Sequence, residues 1–340
     1  MTDNEKETLE RNLNLFFGEA FEDIAQYATD PPDVQPVVDY FVNDGFMQPK
    51  LTEWKGYKMY GIGFNMNTVK WVYENWTPWK DDVIVASFQK IGTTWASYIV
   101  RQLYFRHDEK LMAMTKNMAM PTIYLETGLP VKFELLEKLP WKKRVLATHV
   151  PTPLLNLEKI KSAGAKIICT IRNPKDQMVS WYHMTLKFPM NPNATKYFEM
   201  YPKDWNHFFD LCFAGKQLLG NKKGEWYMEH LLSWYPHRND SNVLFVFYED
   251  LIQYQEREIK RIADFLGVAV SDQDVSSIAK ETSFESLKEK SNASEKLADL
   301  FRKGKVGDWK NYFTVAQSEK MDALVKEKLA DTDIKFIYEL

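Results

Sequence analysis

Two cysteines in 340 residues leave little room for disulfide or metal chemistry. Cys169 lies inside the apolar run KIICTI and Cys212 in a helical pattern, and neither has a close partner or metal-ligand spacing. Both read as reduced core thiols. A dominant charge is missing as well: 44 Lys and Arg stand against 47 Asp and Glu, a formal net charge of −3. No global basic field recruits nucleic acid or an anionic membrane, so any anion must be gripped by a local site. The N-terminal MTDNEKETLERN has neither the basic nor the apolar region of a signal peptide. No run reaches the roughly 18 apolar residues of a membrane span. The expected compartment is the cytosol, without membrane or nucleic acid as partners.

What the chain has is hydrophobic content of 45% and aromatic content of 14%, ample for a sizeable core. Leu13, Phe17, Phe21, Ile24 and Tyr27 recur at three or four residues in an acidic N-terminal stretch, which predicts one amphipathic helix ended by TDPPD. We read residues 1–55 as an acidic extension and 56–340 as the main domain. Residues 41–80 are aromatic-rich without a clean period. From residue 83 the pattern changes to short apolar runs, each followed by turn residues and a helical stretch: VIVASF before TTWASYIVRQLYF, RVLATH before PTPLLNLEKI, KIICTI before PKDQMVSWYHMTLK, VLFVF before YEDLIQYQEREIKRIADFLG. This alternation predicts an α/β fold, a central parallel sheet with helices on both faces. Ligands in such folds bind beyond the carboxyl ends of the strands. The polar stretch EKSNASEKLADLFRKGKVGDW reads as a loop.

Candidate chemistry gathers at those strand ends. In SFQKIGTTW, after the first run, Lys90, Gly92, Thr93 and Thr94 lie where a strand turns into a helix. Helix N-terminal amides, a glycine allowing close approach, two hydroxyls and a cation suit a phosphate or sulfate; a plain helix cap with an incidental lysine is the alternative. The order differs from the ordinary P-loop, in which the glycine precedes Lys-Ser/Thr, and this argues against an ATP-dependent kinase. His149 ends the second strand, where it serves either as a base near neutral pH or as a structural hydrogen-bonder. Arg172 ends the third, with Ser180 about two helical turns further on. It suits a bidentate grip on phosphate or an ion pair with Asp176. FRKGKVGDWK concentrates Arg302, Lys303 and Lys305 in a glycine-containing loop, either an anion clamp or a solvated basic turn.

Joined in this order, the motifs resemble one family, the cytosolic sulfotransferases. SFQKIGTTW is similar to that family's phosphosulfate-binding loop, RNPKDQMVSWYH to its Arg-Asn-x-Lys-Asp segment, and VLFVFYEDL to its Phe-Tyr-Glu-Asp strand end. ETSFE and FRKGKVGDWKNYFTVAQSE complete the set, over roughly residues 80–340. The resemblance implies a P-loop-like sulfotransferase fold for 56–340. It implies 3′-phosphoadenosine 5′-phosphosulfate (PAPS) as sulfuryl donor, 3′-phosphoadenosine 5′-phosphate (PAP) as product, and no metal. Lys90, Thr93, Thr94 and the amides around Gly92 would hold the 5′-phosphosulfate. Arg172, Ser180, Arg302, Lys303 and Gly304 would bind the 3′-phosphate. Trp95 and Phe284 would sandwich the adenine, with Tyr248 and Thr282 near it. His149 falls on the family's base, with Lys90 and Ser180 also placed at the reacting groups.

KNYFTVAQSE fits the family's dimerisation pattern through Lys310, Thr314, Val315 and Glu319, which implies a homodimer; a simple start of the last helix is the alternative. Phe64, Trp71, Tyr73, Phe88, His183 and Met184 are candidate lining for a small ring-bearing hydroxyl acceptor, such as a phenol or sterol, or else core. Three departures stand out. Gln89 and Ile91 replace the usual proline and serine of the loop, Ala147 replaces a lysine two residues before the base, and the segment between Phe284 and Arg302 is short. Ala147 and Ile91 leave open a donor-binding member without catalysis, or a dehydratase working through transient sulfonation.

Overall fold

A computed structural model describes residues 2–60, 64–116, 118, 120–186, 204–217, 219–292 and 302–340. Among the described residues, seven strands form two sheets. β3 (Val83–Ala86), β4 (Val145–Thr148), β5 (Lys166–Ile171) and β7 (Val243–Phe247) make a parallel sheet in the order β4-β3-β5-β7. These are the four apolar runs read from the sequence, and in each case a helix follows. Thr93–Phe105 follows β3, Leu157–Ala163 follows β4 after a short 3-10 turn, Pro174–Thr185 follows β5, and Tyr248–Gln253 with Gln255–Leu266 follows β7.

Both faces of the sheet are covered, which is why its central strands are apolar throughout rather than alternating. Val83 and Val85 pack with Ile99, Leu103, Ile259 and Ile262 on one face. Ile84 and Ala86 point the other way, into a core holding Met178, Phe208, Tyr227 and Trp234. Each such side chain contributes about 1.5–3 kcal/mol by leaving water. Register places Ala86 opposite both Thr148 and Cys169, so β3 and β4 end level and β5 runs two residues further, to Ile171. Ser87, His149 and Arg172 therefore emerge along one edge. The amino edge is closed differently: Asp82, just before β3, holds Arg144, just before β4, through Nε at 3.0 Å and Nη2 at 2.6 Å. That guanidinium also lies 3.9 Å from the Trp79 ring centre.

The second sheet was not legible in the aromatic 41–80 stretch. β1 (Leu51–Trp54) and β2 (Tyr57–Tyr60) form an antiparallel hairpin, with β6 (Leu219–Asn221) along β2. Lys55 and Gly56 turn the hairpin with φ of 52° and 78°, the left-handed pair that a two-residue hairpin turn demands. The hairpin straddles residue 55, the boundary expected between extension and main domain. The N-terminal helix runs Asp3–Ala25, capped by Thr2, and buries Leu13, Phe17, Phe21 and Ile24, while Tyr27 lies beyond its end. Phe17 stacks on Phe41 with ring centres 4.6 Å apart. Helix Phe284–Asn292 occupies the start of the stretch expected as a loop, and residues 293–301 of that stretch lie outside those described. Cys169 and Cys212 are buried free thiols, their pKa values raised by burial.

Candidate active site

Between β3 and its helix the backbone twice enters the left-handed region, at Lys90 (φ 63°) and Gly92 (φ 107°). Successive turns of this kind bring backbone amides round to face one point, the geometry of an anion cradle. A non-glycine residue at positive φ carries strain of about 1–3 kcal/mol, so the surroundings must hold Lys90 there. They do so through its carbonyl, which accepts from Arg172 Nη1 at 3.1 Å, and through Gln177 Nε2, which donates to the Gln89 carbonyl at 2.9 Å. Ile91 is buried in the core, anchoring the loop from below. Of the two loop departures, Ile91 thus has a packing role, whereas the Gln89 contact uses a backbone carbonyl that any residue would supply. A Cβ at Gly92 would meet the Tyr248 ring at 3.0 Å, so the glycine also seats the loop on the base-side tyrosine. The Thr93–Phe105 helix then points its N-terminus at the cradle.

His149 follows β4, one strand over. Its Nδ1 lies 2.9 Å from the Ser87 carbonyl and 3.2 Å from the Ser87 hydroxyl. A carbonyl can only accept, so the proton sits on Nδ1 and Nε2 is left basic. The Ser87 hydroxyl is shared with Thr93 Oγ1, which links His149 to the cradle. From the other side, buried Glu126 accepts the His149 backbone N–H at 2.7 Å and the Thr148 hydroxyl at 2.9 Å. Lys132, also buried, acts on Glu126 electrostatically while its Nζ donates to the Tyr124 carbonyl and, at 2.8 Å, to the Thr127 hydroxyl; burial pushes Glu126 up and Lys132 down. The imidazole rests against Tyr124, 4.7 Å between ring centres, and faces Phe64 at 6.3 Å. Burial lowers the His149 pKa to about 4, with the Lys90 charge adding to the depression against a raising bond from Ser87. The result is a neutral imidazole at any physiological pH.

A second basic cluster surrounds Tyr248. The Arg172 guanidinium carbon lies 4.1 Å from the Tyr248 ring centre, and Trp95 meets the same ring edge-on at 5.4 Å. Arg302 acts on Tyr248 electrostatically as well. Nε of Arg172 and Nε of Arg302 are both buried without a hydrogen-bond partner, as is Nε1 of Trp95. Buried donors left unpaired cost about 1–3 kcal/mol each, which an anionic ligand would recover. Asp176, the alternative partner for Arg172, is engaged elsewhere: it accepts the Gly307 and Trp309 backbone N–H groups at 2.8 and 3.0 Å. Gly304 (φ 63°) presses on Phe284, where a Cβ would come within 2.2 Å of the ring. Thr282 is buried and donates to the Ile278 carbonyl at 2.7 Å. Ser180 is half-buried on the Pro174–Thr185 helix.

The expected acceptor lining divides. Phe64 faces the base, Phe88 packs on Tyr227 and His230 at 5.4 and 5.5 Å, and the Met184 sulfur lies 4.0 Å from Lys90 Nζ. His183 bonds Tyr312 at 2.7 Å. Trp71 stacks on Phe133, and Tyr73 packs on Trp54 with Lys55 over its ring, so neither is brought to the base. In the dimer pattern Thr314 caps the Val315–Lys328 helix, Lys310 pairs with Glu339 at 2.7 Å, Glu319 is exposed, and Val315 is 76% exposed. Ser87, Glu126, Lys132, Tyr124 and His230 were not singled out from the sequence; Ser87 stood inside the quoted loop and Glu126 in the apolar YLETG.

A family model, the sulfotransferase domain, matches residues 80–333. Cytosolic sulfotransferase 1 of Danio rerio is 32% identical over 305 residues, 86% of this chain and 96% of that protein. Mouse sulfotransferase SULT7A1, solved in complex with PAP, is 29% identical with a TM-score of 0.66, covering 83% of this chain and 96% of that one. A retinol dehydratase solved with retinol and PAP shares the fold at a TM-score of 0.69 and 22% identity, over 91% of this chain and 98% of its own.

Proposed function

This chain belongs to the sulfotransferase family, and we propose that it transfers a sulfuryl group from PAPS to the hydroxyl of a small, ring-bearing acceptor. The observation that carries the reading is the pairing of a basic Nε2 on His149 with the Lys90–Gly92 cradle on the adjacent strand end. When bound, the donor supplies a sulfuryl group whose leaving group is a phosphate. His149 Nε2 takes the acceptor hydroxyl proton as that oxygen attacks in line, and Lys90 neutralises charge on the departing phosphate oxygen. Thr93, Thr94 and the Gly92 amides hold the 5′ end, and Ser180 completes the group around the reacting atoms.

The residues present fit PAP and PAPS at the other end too. The unpaired Nε groups of Arg172 and Arg302 suit a 3′-phosphate, with Lys303 and Gly304 beside them. Trp95, Phe284, Tyr248 and Thr282 form the nucleoside side. Phe64, Tyr124 and Phe88 around the strand ends favour an aromatic acceptor. Exposed Val315 at the start of a capped helix supports a homodimer through Lys310, Thr314, Val315 and Glu319. Among the described residues no helix is long and apolar enough to cross a membrane, and no group of His, Cys, Asp and Glu is placed to hold a metal.

Incubation with labelled donor and a panel of phenols, sterols and related alcohols tests the reading. Donor that binds yet reaches none of them sinks it. A product lighter by one water than its acceptor points instead to the dehydratase chemistry that Ala147 left open. His149→Ala should abolish turnover while donor affinity stays; equal loss of both contradicts the base role.

A further inference from the structure

Arg302 and Lys303 do not stand alone in their loop. Arg302 Nη2 lies 2.6 Å from Asp308 Oδ2, and Lys303 Nζ lies 2.6 Å from Asp308 Oδ1. Asn311 Nδ2 donates to the same Oδ1 at 2.8 Å. The Asp308 side chain is only 5% exposed, whereas Lys303 is 46% exposed. Burial pushes this carboxyl up, and Lys303, Asn311 and Arg302 more than reverse it, leaving it ionised at about 2. The carboxylate is therefore a permanent charge, and one charge cannot neutralise two cations.

Asp308 is also fixed in place. The backbone N–H groups on either side of it, from Gly307 and Trp309, donate to Asp176 at 2.8 and 3.0 Å. Trp309 Nε1 donates to the Tyr338 carbonyl at 3.0 Å, which ties the same turn to the C-terminal tail. The flexible partners are Arg302 and Lys303, both long side chains with many rotamers. An anchored carboxylate that accepts Nζ of one at Oδ1 and holds Nη2 of the other in ion-pair contact at Oδ2 orients both. It leaves Arg302 Nε unpaired and buried, and the Nε of Arg172, the other guanidinium that acts on Tyr248, is buried and unpaired as well.

We propose that Asp308 is the positioning residue of the 3′-phosphate clamp, and that it sets the preference for a nucleotide carrying a 3′-phosphate over one lacking it. The inference rests on the donor reading given above. A carboxylate held on three sides cannot swing away to make room for a phosphate; it serves as a post against which the two cations are aimed.

Titration of the full-length protein with PAP and with 5′-AMP, which lacks the 3′-phosphate, separates the roles. Asp308→Asn should weaken PAP by about 10-fold or more, the scale of a charge-assisted contact, with 5′-AMP held within about 2-fold. Asp308→Glu keeps the charge and should recover part of the loss; it also covers the case in which Asp308→Asn fails to fold. PAP and 5′-AMP falling together in both variants would show a role in folding alone and overturn the proposal. Tighter PAP in Asp308→Asn would show that the carboxylate competes with phosphate, which overturns it equally. Arg302→Ala is the control on the underlying reading. If it leaves the ratio of PAP to 5′-AMP affinity unchanged, the loop is not the 3′-phosphate site and both readings fall. If the ratio collapses in Arg302→Ala yet not in the Asp308 variants, only the role of Asp308 is refuted.

Discussion

The most exposed consequence of the His149 environment is the acid limb of the rate profile. A free histidine titrates near 6.5, and burial together with Lys90 brings this one to about 4. At pH 5 an ordinary histidine is only about 3% unprotonated, whereas a pKa near 4 leaves about 90% in the basic form. kcat/KM for the donor reports groups of the free enzyme. It should therefore stay nearly flat from pH 8 down to about 5 and fall below that. The same burial has a cost in stability. A histidine whose folded pKa is depressed contributes stability that is complete above 6.5 and lost as pH falls toward the folded value. For His149 that loss is about 2 kcal/mol at pH 5, and His230, lowered by burial to about 3, adds a similar amount. Rates must therefore be read beside circular dichroism at each pH. A limb centred between 6 and 7, with the fold intact, would refute the argument that burial governs the base. So would a limb that fails to move up in Lys90→Met, because the Lys90 charge adds to the depression of this pKa.

Asp82→Ala should cost about 3–5 kcal/mol in urea unfolding, since it leaves Arg144 buried and uncompensated between Trp76 and Trp79; a loss under 1 kcal/mol would contradict the geometry. Glu126→Gln should lower kcat about 10-fold at unchanged donor KM and reduce stability by about 1 kcal/mol, by removing the charge that acts on buried Lys132. The double change Glu126→Gln with Lys132→Met should recover the stability without the rate, measured by thermal melts and initial velocities. Gly304→Ala forces a Cβ into Phe284 at a positive φ. It should weaken PAP about 10-fold in tryptophan-fluorescence titration while stability falls by only about 1 kcal/mol.

The four parallel strands were legible because a strand covered on both faces must be a short apolar run, and each run was closed by turn residues. The Lys55–Gly56 hairpin was not, because β1 alternates only between exposed and half-buried positions and the aromatics around it mask the period. Lys90, His149, Arg172 and Arg302 could be picked out as candidates because their own side chains are charged or titratable and stand at strand ends or in a basic loop. Ser87 and Glu126 could not. Ser87 acts on His149 partly through a backbone carbonyl, a group every residue has, and Glu126 through a backbone N–H it reaches across 23 positions. Asp308 reads in the sequence as one acid in a basic loop. Only the pinning of its neighbours by Asp176 reveals it as an anchor.

Ala147 shows what the missing lysine means physically. Position 147 shares its strand face with 149, and Ala147 is fully buried, its carbonyl accepting the Leu125 N–H at 2.9 Å. The segment Tyr124–Glu126 thus lies along the end of β4, with Tyr124 against the imidazole and Glu126 on its backbone. Ala147 stands beside the segment that packs on and hydrogen-bonds to His149. Lys90 is the cation that acts on His149, and once it faces a donor phosphate its push on the imidazole is offset, leaving burial as the governing effect. A base kept weak by burial is matched best to an acidic hydroxyl, because proton transfer gains as the two pKa values approach. Within the proposed acceptors this favours phenols, near 10, over aliphatic alcohols several units higher.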